Sequence, residues 1–92
     1  MDKLNELRER IDDIDMLLVS LLAERFNACL EVAEFKKANS IEIVNLSRED
    51  EIRKKVIELG STKNIDSNFL NRLYDIIFDQ SHKIQQKSLG SL

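Results

Sequence analysis

From Leu4 the apolar positions advance through Leu7, Ile11, Ile14, Leu18 and Leu21, meet Arg25, and resume at Ala28, Val32 and Phe35. The steps alternate three and four without a slip, which is the spacing of one face of a single helix. Neither Pro nor Gly interrupts residues 3–38. The pattern therefore predicts one helix of about 36 residues, some 54 Å long at a rise of 1.5 Å per residue. The period breaks in "NSIEIVNLS" (39–47), which reads as a loop. "SRED" (47–50) sets Ser47 as an N-cap with Asp50 at the third helical position, a relative of the capping box. The helix it opens turns Ile52, Val56 and Leu59 inward and is expected to end with Gly60 at C′. Asp66 caps a third helix, with Ile65 and Leu70 spaced as a hydrophobic staple. Leu70, Leu73, Ile77 and Ile84 form its inner face, and residues 87–92 read as a frayed tail.

The expected fold is thus all-α, with one very long N-terminal helix and two shorter ones in a single domain over residues 1–92. Helices of about 20 and 30 Å cannot cover a seam of about 54 Å unless they line up end to end. The connection at 61–65 is short enough to favour folding back instead. Half the seam would then face water, which is unusual for a monomer. Two arrangements resolve this: a monomeric three-helix bundle with a bent first helix, or an intertwined homodimer. Nothing in residues 3–38 supplies a bend, which favours the homodimer.

Composition narrows the partners. With 42% hydrophobic and 34% charged residues the chain is globular rather than disordered. A net charge of −3 argues against nucleic acid, which calls for a basic face. The single Cys excludes an internal disulfide and suits a reducing cytosol. The Met-Asp-Lys start has no apolar signal core, and no apolar run approaches membrane-spanning length, so a cytoplasmic protein with no membrane partner is expected.

Arg25 occupies a position where the seam calls for Leu, and its neighbours three and four residues away are Leu21, Leu22, Ala28 and Cys29, none of them acidic. Lys36 repeats the anomaly three turns later on nearly the same face. Uncompensated inward cations are costly, so each needs an anion from elsewhere or must snorkel to solvent. A carboxylate of another helix could supply that anion. On the second helix Arg48 and Glu49 extend the inner stripe back by a turn, and on the third Ser81 and Gln85 continue the column of Ile77. Core columns seldom end in a hydroxyl and a carboxamide unless these have something to bind. An inward set of Arg25, Lys36, Arg48, Glu49, Ser81 and Gln85 in an acidic chain fits a pocket for a small polyanion such as a dicarboxylate. Arg8 lies about 25 Å from Arg25 along the helix, out of reach on the same chain but within reach from an antiparallel partner; a surface pair with Asp12 is the alternative.

"LNELRERIDDIDMLLVSLLAERF", "EVAEFKK", "SREDEI" and "LYDIIFDQSHKIQ" strongly resemble, in order and over residues 4–86, the all-helical (AroQ-class) chorismate mutases. The resemblance implies an intertwined dimer whose two sites are each built from both chains, consistent with the length mismatch. It implies that Arg25, and Arg8 from the partner chain, bind the two substrate carboxylates. Lys36 and Gln85 would hydrogen-bond the ether oxygen of the breaking C–O bond, and Glu49 would accept the C4 hydroxyl. Arg48 and Ser81 would complete carboxylate binding, with Val32 and Phe78 as apolar walls. Asn45 stands where many relatives carry Asp.

The implied reaction is the [3,3] rearrangement of chorismate to prephenate, in phenylalanine and tyrosine biosynthesis. It is unimolecular and needs no cofactor and no metal. His82, the only His, is expected at the surface, and Cys29 as a small packing residue. Isochorismate–pyruvate lyases resemble the same fold, but Glu49, placed for a C4 hydroxyl, favours the mutase. A non-catalytic prephenate-sensing module is the alternative from another class, and it would have no reason to keep the inward cations.

Overall fold

A computed structural model describes residues 2–43 and 45–90, with side chains described as far as Lys87; Val44 of the connecting loop lies outside the described residues. Three α-helices follow one another: α1 (Asp2–Ala38), α2 (Leu46–Thr62) and α3 (Ser67–Gly90). The described residues contain no strand. α3 packs against both other helices, which do not pack on each other. The core is accordingly a thin layer along α3, where Leu70, Ile77 and Phe78 are buried, with Ala33 of α1 opposite.

α1 is one continuous helix of 37 residues. Its length of about 55 Å matches the 57 Å long axis of the molecule, so it does not bend back as a closed bundle would require. α3 reaches only its C-terminal half. Leu4, Leu7, Ile11, Ile14, Leu18 and Leu21, the whole N-terminal part of the seam, are exposed. The radius of gyration of 16.8 Å compares with about 12 Å for a compact domain of this length. The accessible surface of 7460 Å² exceeds by roughly 2,000 Å² what a compact monomer of this size shows.

The helix ends depart from the sequence expectation at two points. α2 begins one residue before Ser47, and its N-cap is Asn45, whose Oδ1 accepts from the Arg48 backbone N–H at 3.1 Å. Asn and Ser cap equally well, and Asn45 is the one that sits where the chain leaves the extended loop (φ −128°). At the other end α2 does not stop at Gly60 but runs to Thr62. The left-handed residue is Asn64 (φ 59°). The N–H of Ile65 returns to the Gly60 carbonyl at 2.9 Å, closing a Schellman motif with Asn64 at C′. Gly60 serves packing instead: it is buried inside the helix, and a Cβ there would overlap Leu70 Cδ1. At α3 the Asp66 cap is present, its Oδ2 accepting from the Phe69 N–H at 3.0 Å. The tail expected to fray from residue 87 is helical as far as Gly90, and Ser91 and Leu92 lie outside the described residues.

α2 is tied to α3 by Arg53, which donates to the Asn71 carbonyl at 3.1 Å, pairs with Asp75 and lies over the Phe78 ring at 5.1 Å. Among the described residues no helix is long and apolar enough to cross a membrane.

Candidate active site

Where α1, the start of α2 and the C-terminal half of α3 converge, they enclose a cavity of about 340 Å³, within the size range of small-molecule sites. Three and four residue spacings build it. α1 contributes Arg25, Ala28, Cys29, Val32 and Lys36; α3 contributes Phe78, Ser81, His82 and Gln85. Arg48, Glu49 and Ile52 come from the first turns of α2, with Ile43 and Asn45 from the loop. Every site residue expected from the sequence lines this cavity except Arg8, which lies exposed on the uncovered half of α1.

Arg25 is half-buried and has no carboxylate within ion-pair distance among the described residues. Its Nη1 donates to Ser81 Oγ at 3.0 Å and approaches Cys29 Sγ at 3.5 Å. Its guanidinium carbon stands 5.7 Å from the Phe78 ring centre and 6.0 Å from that of Tyr74. Ser81 is poised to accept because its own hydrogen goes to the Ile77 carbonyl at 2.9 Å. Among the described residues no acid of α2 or α3 compensates Arg25, which is held by neutral groups and aromatic faces. A guanidinium carries five donors, so most remain for a ligand.

Lys36 is likewise half-buried and without a carboxylate among the described residues; its Nζ donates to the Ile43 carbonyl at 3.0 Å. That bond, with Ile41 N–H to the Lys36 carbonyl at 2.8 Å, folds the loop against the end of α1. Gln85 is buried, 8% exposed. Among the described residues its Nε2 reaches only the Cys29 carbonyl, at 3.5 Å, the long limit of a hydrogen bond. A buried carboxamide so weakly engaged is available to a ligand.

Arg48 sits at the rim rather than pointing inward. Its side chain is 55% exposed and Nη1 pairs with Glu51 at 3.3 Å, because one turn along the helix a carboxylate is available while nothing in this chain holds it toward the cavity. Glu49 does turn inward, and there the sequence reading of His82 fails. His82 is not a surface residue: its Nε2 lies 2.6 Å from Glu49 Oε2, with side chains 29% and 19% exposed. The available signal was its place one turn after Phe78 and three residues before Gln85. Cys29, expected only to pack, lies with its Sγ against Arg25 and Ser81 in the same wall. Asn45 spends its side-chain oxygen on the α2 cap.

The cavity thus offers three cations against one carboxylate, two of the cations lacking an acidic partner among the described residues, beside a buried amide and an aromatic wall. A small anion with two acidic groups and an apolar ring matches that set.

Comparison with known proteins points the same way. The family model described as "Chorismate mutase type II" matches residues 7–86. The chorismate mutase of Methanocaldococcus jannaschii is 32% identical over 89 residues, covering 97% of this chain and 90% of that protein. A bifunctional chorismate mutase/prephenate dehydratase of Buchnera aphidicola (subsp. Acyrthosiphon pisum) is 35% identical over 82 residues, 89% of this chain but only 21% of that protein. The chain therefore spans about a fifth of the length of such bifunctional relatives. A 4-amino-4-deoxychorismate mutase of Streptomyces pristinaespiralis is 26% identical over 90 residues, 98% of this chain and 70% of that protein. With its three helices, its cation-lined cavity and a match across nearly its whole length, this chain belongs to the type II chorismate mutase family.

Proposed function

We propose that this protein converts chorismate to prephenate, as a cytoplasmic homodimer with two shared sites. The observation that carries the reading is the pair of half-buried cations, Arg25 and Lys36, that line one cavity without an acidic partner among the described residues. Two unneutralised cations in a chain of net charge −3 are maintained against a desolvation cost, and a dianionic substrate offsets it.

The [3,3] rearrangement breaks a C–O ether bond as it forms a C–C bond, with no proton transfer. Two effects accelerate it. Holding the flexible dianion in its compact reactive conformer removes rotational freedom before the barrier. Arg25 and the partner's Arg8 do this by gripping the two carboxylates, assisted by Arg48 and Ser81, while Val32 and Phe78 confine the ring. Donors aimed at the ether oxygen stabilise the negative charge that grows there in the transition state. Lys36 and Gln85 take this part, and Glu49 accepts the C4 hydroxyl. Asn45 acts through the α2 cap, which orients the turn carrying Arg48 and Glu49.

The dimer is supported by the exposed N-terminal seam and by the roughly 2,000 Å² of surface in excess of a compact monomer, which is the scale of an obligate interface. Antiparallel pairing would cover that seam and bring Arg8 to a site about 25 Å from its position on its own chain. The free Cys29 thiol is at home in a reducing compartment.

The deciding experiment incubates the purified protein separately with chorismate and isochorismate, follows loss of each, and identifies products. Prephenate from chorismate is the expected result. Pyruvate and salicylate from isochorismate with chorismate untouched would overturn it, as would loss of neither.

A further inference from the structure

We propose that His82 is a positioning residue that holds Glu49 in the cavity and biases the site toward a hydroxyl, and against an ammonium, at the substrate carbon Glu49 meets. The inference rests on the function proposed above and deepens it.

Glu49 is the only carboxylate among the residues lining the cavity. Its side chain is four-fifths buried, and its single partner among the described residues is His82 Nε2 at 2.6 Å. The other candidates are engaged elsewhere: Arg48 pairs with Glu51, Arg25 donates to Ser81 and Lys36 to the Ile43 carbonyl. Without His82 the carboxylate would be buried with no hydrogen bond from the protein, a state that a cationic ligand group relieves better than a hydroxyl. An ionised carboxylate only accepts, so the ring nitrogen carries the hydrogen in this contact.

The specificity follows from what that hydrogen bond leaves. A carboxylate has two oxygens, each able to accept more than once. His82 occupies one, and a substrate hydroxyl needs only a free lone pair. An ammonium is held chiefly by charge, and a donor already on Oε2 draws off part of the negative charge it would feel. The charged groups lining the cavity with Glu49 are Arg25 and Lys36 from α1 and Arg48 from α2. All three disfavour an ammonium, but only the His82 N–H acts on the carboxylate itself.

The test compares wild type, His82→Leu and His82→Gln on chorismate and on 4-amino-4-deoxychorismate, measuring kcat and KM for each, with far-UV circular dichroism as the folding control. Leu removes the donor. Gln keeps an N–H near the place of Nε2. His82→Leu is expected to lose about tenfold in kcat/KM on chorismate, the weight of one charge-assisted hydrogen bond, and to shift the amino-to-hydroxyl preference by about the same factor toward the amine. His82→Gln should recover most of both. His82→Asn, too short to reach Oε2, replaces the Leu variant should that one misfold. A folded donor-less variant with an unchanged preference ratio overturns the inference, and so does a Gln variant no better than Leu. Wild type inactive on both substrates overturns the function reading itself, and with it this inference; the wild-type arm alone tells that failure apart.

Discussion

Arg8 and Arg25 provide the sharpest test of a shared site. They are seventeen positions apart on one unbroken helix, about 25 Å along its axis. An extended Arg side chain reaches about 7 Å, so the two cannot meet around one small dianion on the same chain. If each site takes Arg25 from one chain and Arg8 from the other, homodimers of Arg8→Ala and of Arg25→Ala each lack one arginine at both sites. Each should fall about a hundredfold or more, the cost of truncating one member of a buried charge pair. In a mixed dimer the losses segregate. One site receives both intact arginines and the other receives neither. Random exchange of equal amounts makes half the dimers mixed, each with one working site, so activity should return to about a quarter of wild type per chain. The assay is chorismate loss after the two variants are mixed, with exchange verified by native mass spectrometry on chains of distinguishable mass. Mixed dimers no more active than their parents would refute shared sites and leave Arg8 as a surface residue.

Three further outcomes follow from the local geometry. Gly60→Ala gains helix propensity of up to about 1 kcal/mol, but its Cβ overlaps buried Leu70; repacking costs about 1–3 kcal/mol, so a net loss near 1 kcal/mol is expected in urea unfolding, and a more stable variant would contradict the packing role. Asn45→Asp should leave stability within about 0.5 kcal/mol, since both residues cap, whereas Asn45→Ala should cost about 1 kcal/mol; equal effects in thermal melts would show the cap to be unimportant. Gln85→Glu places an acceptor beside the developing oxyanion when ionised and a donor when protonated, so its kcat at saturating chorismate should fall as pH rises through the introduced group's titration and recover as pH falls. A profile parallel to wild type would remove Gln85 from the ether oxygen.

What local sequence could determine, it determined through periodicity and cost. A seam at steps of three and four needs no knowledge of its partner, so the 37-residue α1 and the inner faces of α2 and α3 were legible. A cation where the seam calls for Leu is anomalous on the same ground, and Arg25 and Lys36 stood out before any contact was known. The columns of α2 and α3 added Arg48, Glu49, Ser81 and Gln85 to the candidate site, and the family motifs added Asn45, Val32 and Phe78. Other features depended on how the helices meet. Glu49 and His82 are 33 positions apart, and only the approach of α2 to α3 brings them together. Arg48 reads as inward by spacing, yet on the chain's own surface Glu51 holds it at the rim. The choice between Asn45 and Ser47 as cap is nearly degenerate in local energy, and the path of the loop, pinned by Lys36 on the Ile43 carbonyl, settles it. Gly60 looked like a terminator because helix stops favour Gly, but the pressure on that position comes from Leu70 of another helix. Periodicity specifies which face of a helix is apolar; the crossing and register of two helices, on which each of these contacts depends, are set only when both faces pack together.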